Sequence, residues 1–279
     1  MIKKSNFKKS AVFYFTIFIS FIFLTSFLAF SKSDAKSKKV LTKIEKIKDA
    51  GKIIVGTSAD YPPYEFHLLN SKEEEIVGLD IDIAKVIAEK LGVKLEIKDI
   101  TFSKLINTLD SGDIDMAIAG LTPTEKRKKV VDFSEVYYQA IQNMLIRVED
   151  TEKITCIADL RGKKVGTQKG SIQEDIARTK IEGAEFIERQ TISELITDLK
   201  KGDIDAIIVE KPVAESYVLR NKSLINIECN AEKDVLGSAI AVKKGNSVLL
   251  NKINEILQDL KKEHKIIEFV KEANILMSK

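Results

Sequence analysis

Arg127 closes the stretch "AGLTPTEKR" (119–127), and its guanidinium carries the planar fork of donors that grips a carboxylate through two parallel hydrogen bonds. Thr122, Pro123 and Glu125 read as a helix cap, a first-turn proline and a capping-box acid. Arg127 is thereby set among free N–H groups, where a helix dipole disfavours a cation. An anionic ligand accounts for that placement, and so does membership of the solvated run "KRKK" (126–129). In "GTQKGSIQED" (166–175), Ser171 and Glu174 form a second capping box behind Gly170. A glycine followed by a capped helix start is an anion site, with backbone N–H groups aimed outward. No G-x-x-x-x-G-K or G-x-G-x-x-G loop accompanies it, so a small carboxylate fits better than a phosphate. Glu210 ends the apolar run "DAIIVE" (205–210), where a carboxylate suits an ammonium group or a salt bridge to a neighbouring lysine.

Aromatic surface accompanies these charges. "TSADYPPYEF" (57–66) sets Tyr61, Tyr64 and Phe66 around two prolines, and Phe102 closes "KDITF" (98–102). These rings either cover strand ends or wall a pocket. A fork for a carboxylate, an anion-binding helix start and an opposing acid together describe a clamp for a zwitterion. An α-amino acid is the simplest molecule satisfying all three.

The elements that must position these groups occur twice. "LINTLDSGDIDMAIAG" (105–120) and "LITDLKKGDIDAIIVE" (195–210) share a pattern ninety residues apart. Phe102, Leu105, Ile106 and Leu109 lie at the i, i+3, i+4, i+7 spacing of one helical face, and Ile192, Leu195, Ile196 and Leu199 match them. Gly112 and Gly202 stop each helix, and a short apolar strand follows. Upstream, "KIIVGT" (52–57) pairs with "KKVGT" (163–167), and "VKLEIKDI" (93–100) with "AEFIER" (184–189). Ile83, Val86, Ile87 and Leu91 give "LDIDIAKVIAEKLG" (79–92) one apolar helical face. Each copy reads strand–helix–strand–helix–strand, which parallel strands with right-handed helical crossovers satisfy. The fold class is therefore α/β with two lobes. Stretches 137–150 and 235–246 read as strands crossing between the lobes, with terminal helices at 247–258 and about 262–271 packed on the first lobe. Open α/β sheets bind ligands beyond the carboxyl ends of their strands, so two facing lobes share one cleft.

The amino terminus reads separately. Lys3, Lys4, Lys8 and Lys9 precede an apolar run from Ala11 to Phe30, then a small-residue exit at Ser33–Asp34–Ala35: an export signal, or an uncleaved anchor given its length. No cysteine follows the run, so no lipid anchor is expected. Residues 1–35 hold five lysines and one aspartate, so the formal charge of +3 becomes −1 (3 − 5 + 1) without them. The basic balance belongs to the leader and gives no argument for a nucleic-acid partner. Cys156 and Cys229 have no metal-type spacing; they form one disulfide or two free thiols. No cofactor motif is present, and a monomer is the default.

"GTSADYPPYEF", "GLDIDIAKVIAEKLG", "DMAIAGLTPTEKRKKVVDFSEVYY", "VGTQKGSIQED" and "AIIVEKPVAE" resemble the polar amino-acid family of solute-binding proteins that serve ABC importers, in order from about residue 50 onward. The resemblance implies the two-lobe periplasmic-binding-protein fold (type II): each lobe a mostly parallel sheet flanked by helices, joined by two crossing hinge strands. The implied division is residues 1–35 as signal, 40–140 plus 238–279 as lobe 1, and 141–237 as lobe 2. It also implies roles. Arg127 would hold the ligand α-carboxylate with the backbone N–H groups of Thr122 and Ile172. Glu210, the Gly120 carbonyl and the Thr122 hydroxyl would take the α-ammonium. Tyr61 and Phe102 would sandwich the side chain, bordered by Ala119, Gln168 and Tyr64, and Ser171 belongs to the anion-binding helix start. Glu210 stands where the family usually has aspartate, and Ser58 where binders of lysine and arginine often carry one, so a neutral polar ligand such as glutamine is expected. The implied partner is an ABC permease, and the location is extracytoplasmic. Capture rather than catalysis follows. The rivals are a dehydratase or lyase on the same scaffold, which needs a tuned acid or base, with His67 and His264 the only histidines and Glu210 the other conceivable base, and a sensing module docking on a membrane receptor.

Overall fold

The computed structural model describes residues 41–68, 75–228 and 236–278; the signal segment 1–35 and Cys229 lie outside them. Two five-stranded sheets carry the chain. In the first, Lys94–Asp99, Lys52–Thr57 and Met116–Ala117 run parallel in that spatial order, followed by Ala241–Lys243 and Val131–Phe133, with Ala241–Lys243 antiparallel to both neighbours. In the second, Glu185–Arg189, Lys164–Gln168 and Ala206–Glu210 are parallel, followed by Gln142–Arg147 and Leu224–Glu228, with Gln142–Arg147 antiparallel to both neighbours. The same order of three parallel strands, then a returning strand, is the sequence repeat made visible. Between the sheets, Tyr138–Ala140 pairs antiparallel with Leu236–Ser238, which are the two crossing strands.

The repeated Gly-Asp-Ile-Asp has a packing role in both copies. The helices Leu105–Ser111 and Ile192–Lys201 end at the left-handed glycines Gly112 and Gly202, turning the chain back toward its sheet. Ile114 and Ile204 then lie over glycines of the first strands. A Cβ on Gly56 would sit 2.5 Å from Ile114 Cδ1, and one on Gly166 2.6 Å from Ile204 Cδ1. The second aspartate anchors the strand backbone: Ile54 N–H donates to Asp115 (2.7 Å) and Lys164 N–H to Asp205 (2.8 Å). A buried isoleucine over a glycine and an aspartate on a strand N–H lock each lobe's central strands together, which is why both residues recur.

The terminal helices are longer than their apolar spacing indicates, Ser247–Lys262 and Lys265–Ser278, with His264 at their junction in a left-handed conformation (φ 59°) rather than inside a helix. Among the described residues no helix is long and apolar enough to cross a membrane.

Candidate ligand-binding cleft

The residues singled out by their chemistry follow the carboxyl ends of the parallel strands of both sheets. Tyr61 and Tyr64 come after Lys52–Thr57, Phe102 after Lys94–Asp99, and Ala119 to Arg127 after Met116–Ala117. Ser171 and Ile172 follow Lys164–Gln168 from the other side, and Glu210 ends Ala206–Glu210. A cavity of about 10 Å³ between them is lined by Tyr61, Phe102, Gly120, Thr122, Arg127, Gln168, Ile172 and Gln173. Seven of these carry roles implied by the sequence; Gln173 was missed, being one polar residue among several in "SIQED". Its Nε2 donates to Gln142 Oε1 (3.0 Å), and Tyr61 Oη lies 3.5 Å away across the cleft.

Such a volume holds about one water. The two walls touch: Arg127 donates to the Gly170 carbonyl (3.0 Å), Ser103 to Gln190 (3.2 Å), and Tyr217 to the Asp60 carbonyl (2.8 Å). Admission of an amino acid therefore requires the lobes to part.

Arg127 stands on the one-turn helix Glu125–Lys128, and here the structure corrects the expected cap. Thr124, not Thr122, is the N-cap, its hydroxyl accepting from the Arg127 N–H (3.2 Å), and Glu125 pairs with Lys128 instead of closing a box. The helix starts two residues later than expected because the Thr122 carbonyl is already used. It accepts from the Thr124 N–H (2.9 Å) and from Arg127 Nη1 (2.8 Å). The Thr122 hydroxyl is thus released from capping at the cavity wall. The guanidinium stacks over Phe102, its carbon 5.3 Å from the ring centroid. Burial lowers its pKa to about 10 against the opposing effect of Asp175, and among the described residues no carboxylate is within ion-pair distance of it.

The opposite anion site is also altered in detail. Ser171 Oγ accepts from the Glu174 N–H (3.2 Å), but Glu174 reaches back to the Gly170 N–H (2.9 Å) rather than to Ser171. Ile172, the first residue of the helix Ile172–Lys180, lines the cavity, and among the described residues its N–H has no protein acceptor. Ser171 lies just outside it, on a neighbouring pocket of about 390 Å³.

The acid end is deeper. Glu210 is buried and accepts from the hydroxyl of Tyr64, which stacks against Tyr61 with ring centroids 5.6 Å apart. Tyr64 and Ala119 are fully enclosed and are not among the residues lining the cavity. Burial pushes the Glu210 carboxyl up to about 7, against the lowering effect of the Tyr64 hydrogen bond and with a further push from Asp80. Asp80 and Glu65, both fully buried nearby, are the acids that sequence reasoning passed over. Asp80 reads there as an ordinary first-turn acid and Glu65 as one polar residue beside aromatics.

Gly120 joins the two ends. It holds φ +55°, and its carbonyl accepts no protein hydrogen bond while the next two carbonyls, of Leu121 and Thr122, both do. A Cβ there would stand 3.3 Å from the Tyr61 ring. Gly120→Ala is expected to cost about 1–2 kcal/mol of stability from the left-handed backbone and to weaken binding by displacing Tyr61. Chemical denaturation and titration calorimetry on the variant check both; wild-type values in both would show that neither the backbone conformation nor the Tyr61 contact matters.

Asp60 was also missed, hidden one position before Tyr61. Its carboxylate accepts from the Ile192 N–H across the cleft (2.5 Å), with the Gln168 side chain in hydrogen-bonding reach. Burial pushes its pKa to about 6, with Asp99 adding repulsion. Both acids line a pocket of about 370 Å³ with Ser58 and Thr191, separate from the cavity that Arg127 lines. Of the two histidines, His67 is exposed on Asp99 (2.9 Å) and lines this same pocket, whereas His264 lies between the last two helices.

Comparison with known proteins agrees with this architecture. The family described as bacterial extracellular solute-binding proteins, family 3, matches residues 53–272. The arginine-binding extracellular protein ArtP of Bacillus subtilis is 40% identical over 212 residues, 75% of this chain and 80% of its own length. The ABC transporter glutamine-binding protein GlnH of the same species is 35% identical over 245 residues, covering 86% and 88%. A crystal structure of the amino acid ABC transporter substrate-binding protein AbpA from Streptococcus pneumoniae, bound to L-arginine, superposes with a TM-score of 0.82 at 36% identity, covering 84% of this chain and 99% of that one. This chain belongs to the bacterial extracellular solute-binding proteins, family 3.

Proposed function

We propose that the protein captures a polar L-α-amino acid with a cationic side chain outside the cytoplasm and hands it to the permease of an ABC importer. The carrying observation is the set of charges that the strand ends bring together: the half-buried Arg127 guanidinium on the cavity wall, Glu210 buried on the Tyr64 hydroxyl, and the Asp60 carboxylate one residue before Tyr61. A zwitterion bridges the first two, its carboxylate on the Arg127 fork and the Ile172 N–H, its ammonium on Glu210 and the Gly120 carbonyl. A distal cation then reaches Asp60 between Tyr61 and Phe102. Ser58 alone argues for a neutral side chain, but Asp60, two residues on, supplies the missing charge. The arginine-binding relative and the arginine-bound structural neighbour support the same choice.

Binding works by capture. The ligand bridges both walls, the crossing strands bend, and closure excludes water, which strengthens the ion pairs. What supports capture over the dehydratase alternative is the likeness to binding proteins, since Glu210, pushed up to about 7, is the acid or base that a dehydratase would use. The protein acts outside the cytoplasm, and the permease reads its closed form.

A thermal-shift screen of residues 36–279 against the twenty amino acids tests the reading. A ligand at a hundred times its dissociation constant adds about 2.7 kcal/mol of stability. L-Arginine is expected to give the largest shift, and Asp60→Asn to weaken L-arginine far more than L-glutamine. A dominant shift with L-glutamine that Asp60→Asn leaves unaltered would refute the cationic assignment. Silence across the panel, in protein freed of carried-over ligand, would refute amino-acid capture itself.

A further inference from the structure

Behind Gly120, out of reach of any bound molecule, lies a group of polar side chains that capture does not explain. Asp80 occupies the first turn of the helix Leu79–Leu91 and is fully buried. Its carboxylate accepts from the Gly120 N–H (2.9 Å) and from the hydroxyl of Tyr137, which lies 2.8 Å from both of its oxygens. Tyr137 immediately precedes the crossing strand Tyr138–Ala140. Glu65, on the strand Glu65–His67, is fully buried as well, and among the described residues no N–H or O–H group donates to either of its carboxyl oxygens. Its hydrogen-bond contact is with the Asp80 carboxylate itself.

Two buried carboxylates in contact repel strongly, whereas a carboxylic acid beside a carboxylate makes a short charge-assisted hydrogen bond. Of the two, Asp80 has the better claim to the negative charge. It has the Gly120 N–H, the Tyr137 hydroxyl and the positive end of a helix, while Glu65 has nothing to offer a charge.

We propose that Asp80 is a positioning residue for the ammonium half of the cleft, its charge maintained by a proton held on Glu65. By fixing the Gly120 N–H, Asp80 fixes the Ala119–Gly120 peptide plane and with it the +55° turn from which the uncommitted Gly120 carbonyl leaves the chain. The inference rests on the reading that Gly120 accepts an α-ammonium. Other ionisable groups bear on the pair: Glu210, Tyr64, Tyr61 and Asp60 face the same interior from neighbouring elements, and Coulombic repulsion from Glu210 and Asp60 adds to the pressure on Glu65 to keep its proton. Burial and the contact with Asp80 hold the Glu65 carboxyl well above the ordinary carboxylate range.

Two experiments test this. The first needs no ligand. A carboxyl raised in the fold stabilises fully below its unfolded pKa, and that contribution is lost as pH rises toward the folded value. Glu65→Gln retains the donor to Asp80 without a titrating proton. The stability of E65Q relative to wild type is therefore expected to increase as pH rises from 4.5 to 9, and Gln should serve far better than Leu at that position. Parallel stability curves, or Leu equal to Gln, would overturn the shared proton. The second compares L-arginine with its α-hydroxy analogue, which lacks the ammonium. Asp80→Leu is expected to reduce L-arginine affinity about ten- to a hundredfold, the analogue's far less, with Asp80→Asn between. The amide proton of Gly120 should move upfield by NMR in both variants without ligand. Equal losses for both compounds, or an unmoved Gly120 amide, would overturn the positioning role. If the wild type bound neither compound, the functional reading alone would fall, because stability against pH and the Gly120 amide still decide the proposal.

Discussion

Replacing Arg127 with alanine is expected to remove nearly all ligand affinity while leaving the free protein as stable as the wild type within about 1 kcal/mol. The two halves of that expectation have different causes. In the bound state a carboxylate enclosed by the lobes loses its fork. Leaving a buried charge unpaired costs about 3–5 kcal/mol, a few hundredfold or more in dissociation constant. In the free protein the guanidinium is half-buried with no carboxylate bonded to it among the described residues, and burial lowers its pKa to about 10 against the opposing effect of Asp175. A cation whose folded pKa lies below its unfolded value destabilises the fold at every pH below about 10. Alanine removes that penalty and loses two hydrogen bonds to carbonyls, at Thr122 and Gly170, so the terms oppose. Arg127→Lys keeps the charge but not the fork and should recover only part of the affinity. Calorimetric titration with L-arginine and a melting curve without it measure both halves. A variant that melted many degrees lower with affinity intact would make Arg127 a structural residue and discard the clamp.

How much of this was legible in the sequence follows from how local each signal is. The lobes were, because a helical face repeated at Leu105–Leu109 and Leu195–Leu199 and a glycine-aspartate turn are readable within a dozen residues. The convergence of Arg127, Ile172 and Tyr61 was also readable, since strand ends of an α/β sheet share one edge. The cap at Thr124 was not. Thr122-Pro123 and Thr124-Glu125 are equivalent cap signals on paper, and the choice is made by Arg127 folding back onto the Thr122 carbonyl. Asp60 and Asp80 stayed hidden for a related reason. Each looks like a routine polar residue of its own element, and only tertiary contact, with Ile192 in one case and Gly120 in the other, gives it a task. Gln173 differs again: its helical neighbours are polar, so nothing local separates the one that faces the cleft.

Affinity for an amino acid should fall as pH is lowered through about 7, and Glu210→Gln should abolish the dependence. Burial pushes the Glu210 carboxyl up to about 7, so it titrates near neutral pH in the free protein. An ammonium favours the ionised form, so binding expels that proton. Affinity is then flat above about pH 7 and drops toward tenfold per unit below it, until the bound-state pKa is reached. Stability of the free protein runs the other way. The folded value exceeds the ordinary 4.5, so the stabilising contribution is complete below pH 4.5 and is lost as pH rises through about 7, some 3 kcal/mol in all. Ligand restores at neutral pH what ionisation removes, which couples occupancy to the rigidity of the closed form. In Glu210→Gln the charge partner is gone at every pH. The variant should bind about a hundredfold more weakly at pH 8, yet approach the wild type near pH 5.5, where the wild-type carboxyl is itself neutral. Convergence of the two curves separates an electrostatic role from a packing role, since a packing defect would persist at all pH values. Asp60, pushed to about 6, titrates close by, so L-glutamine, whose side chain places no charge on Asp60, isolates the Glu210 contribution. Calorimetry at pH 6.5 in two buffers of different protonation enthalpy counts the expelled proton directly. A flat affinity from pH 5.5 to 8, with no buffer dependence, would mean that the ammonium does not meet Glu210.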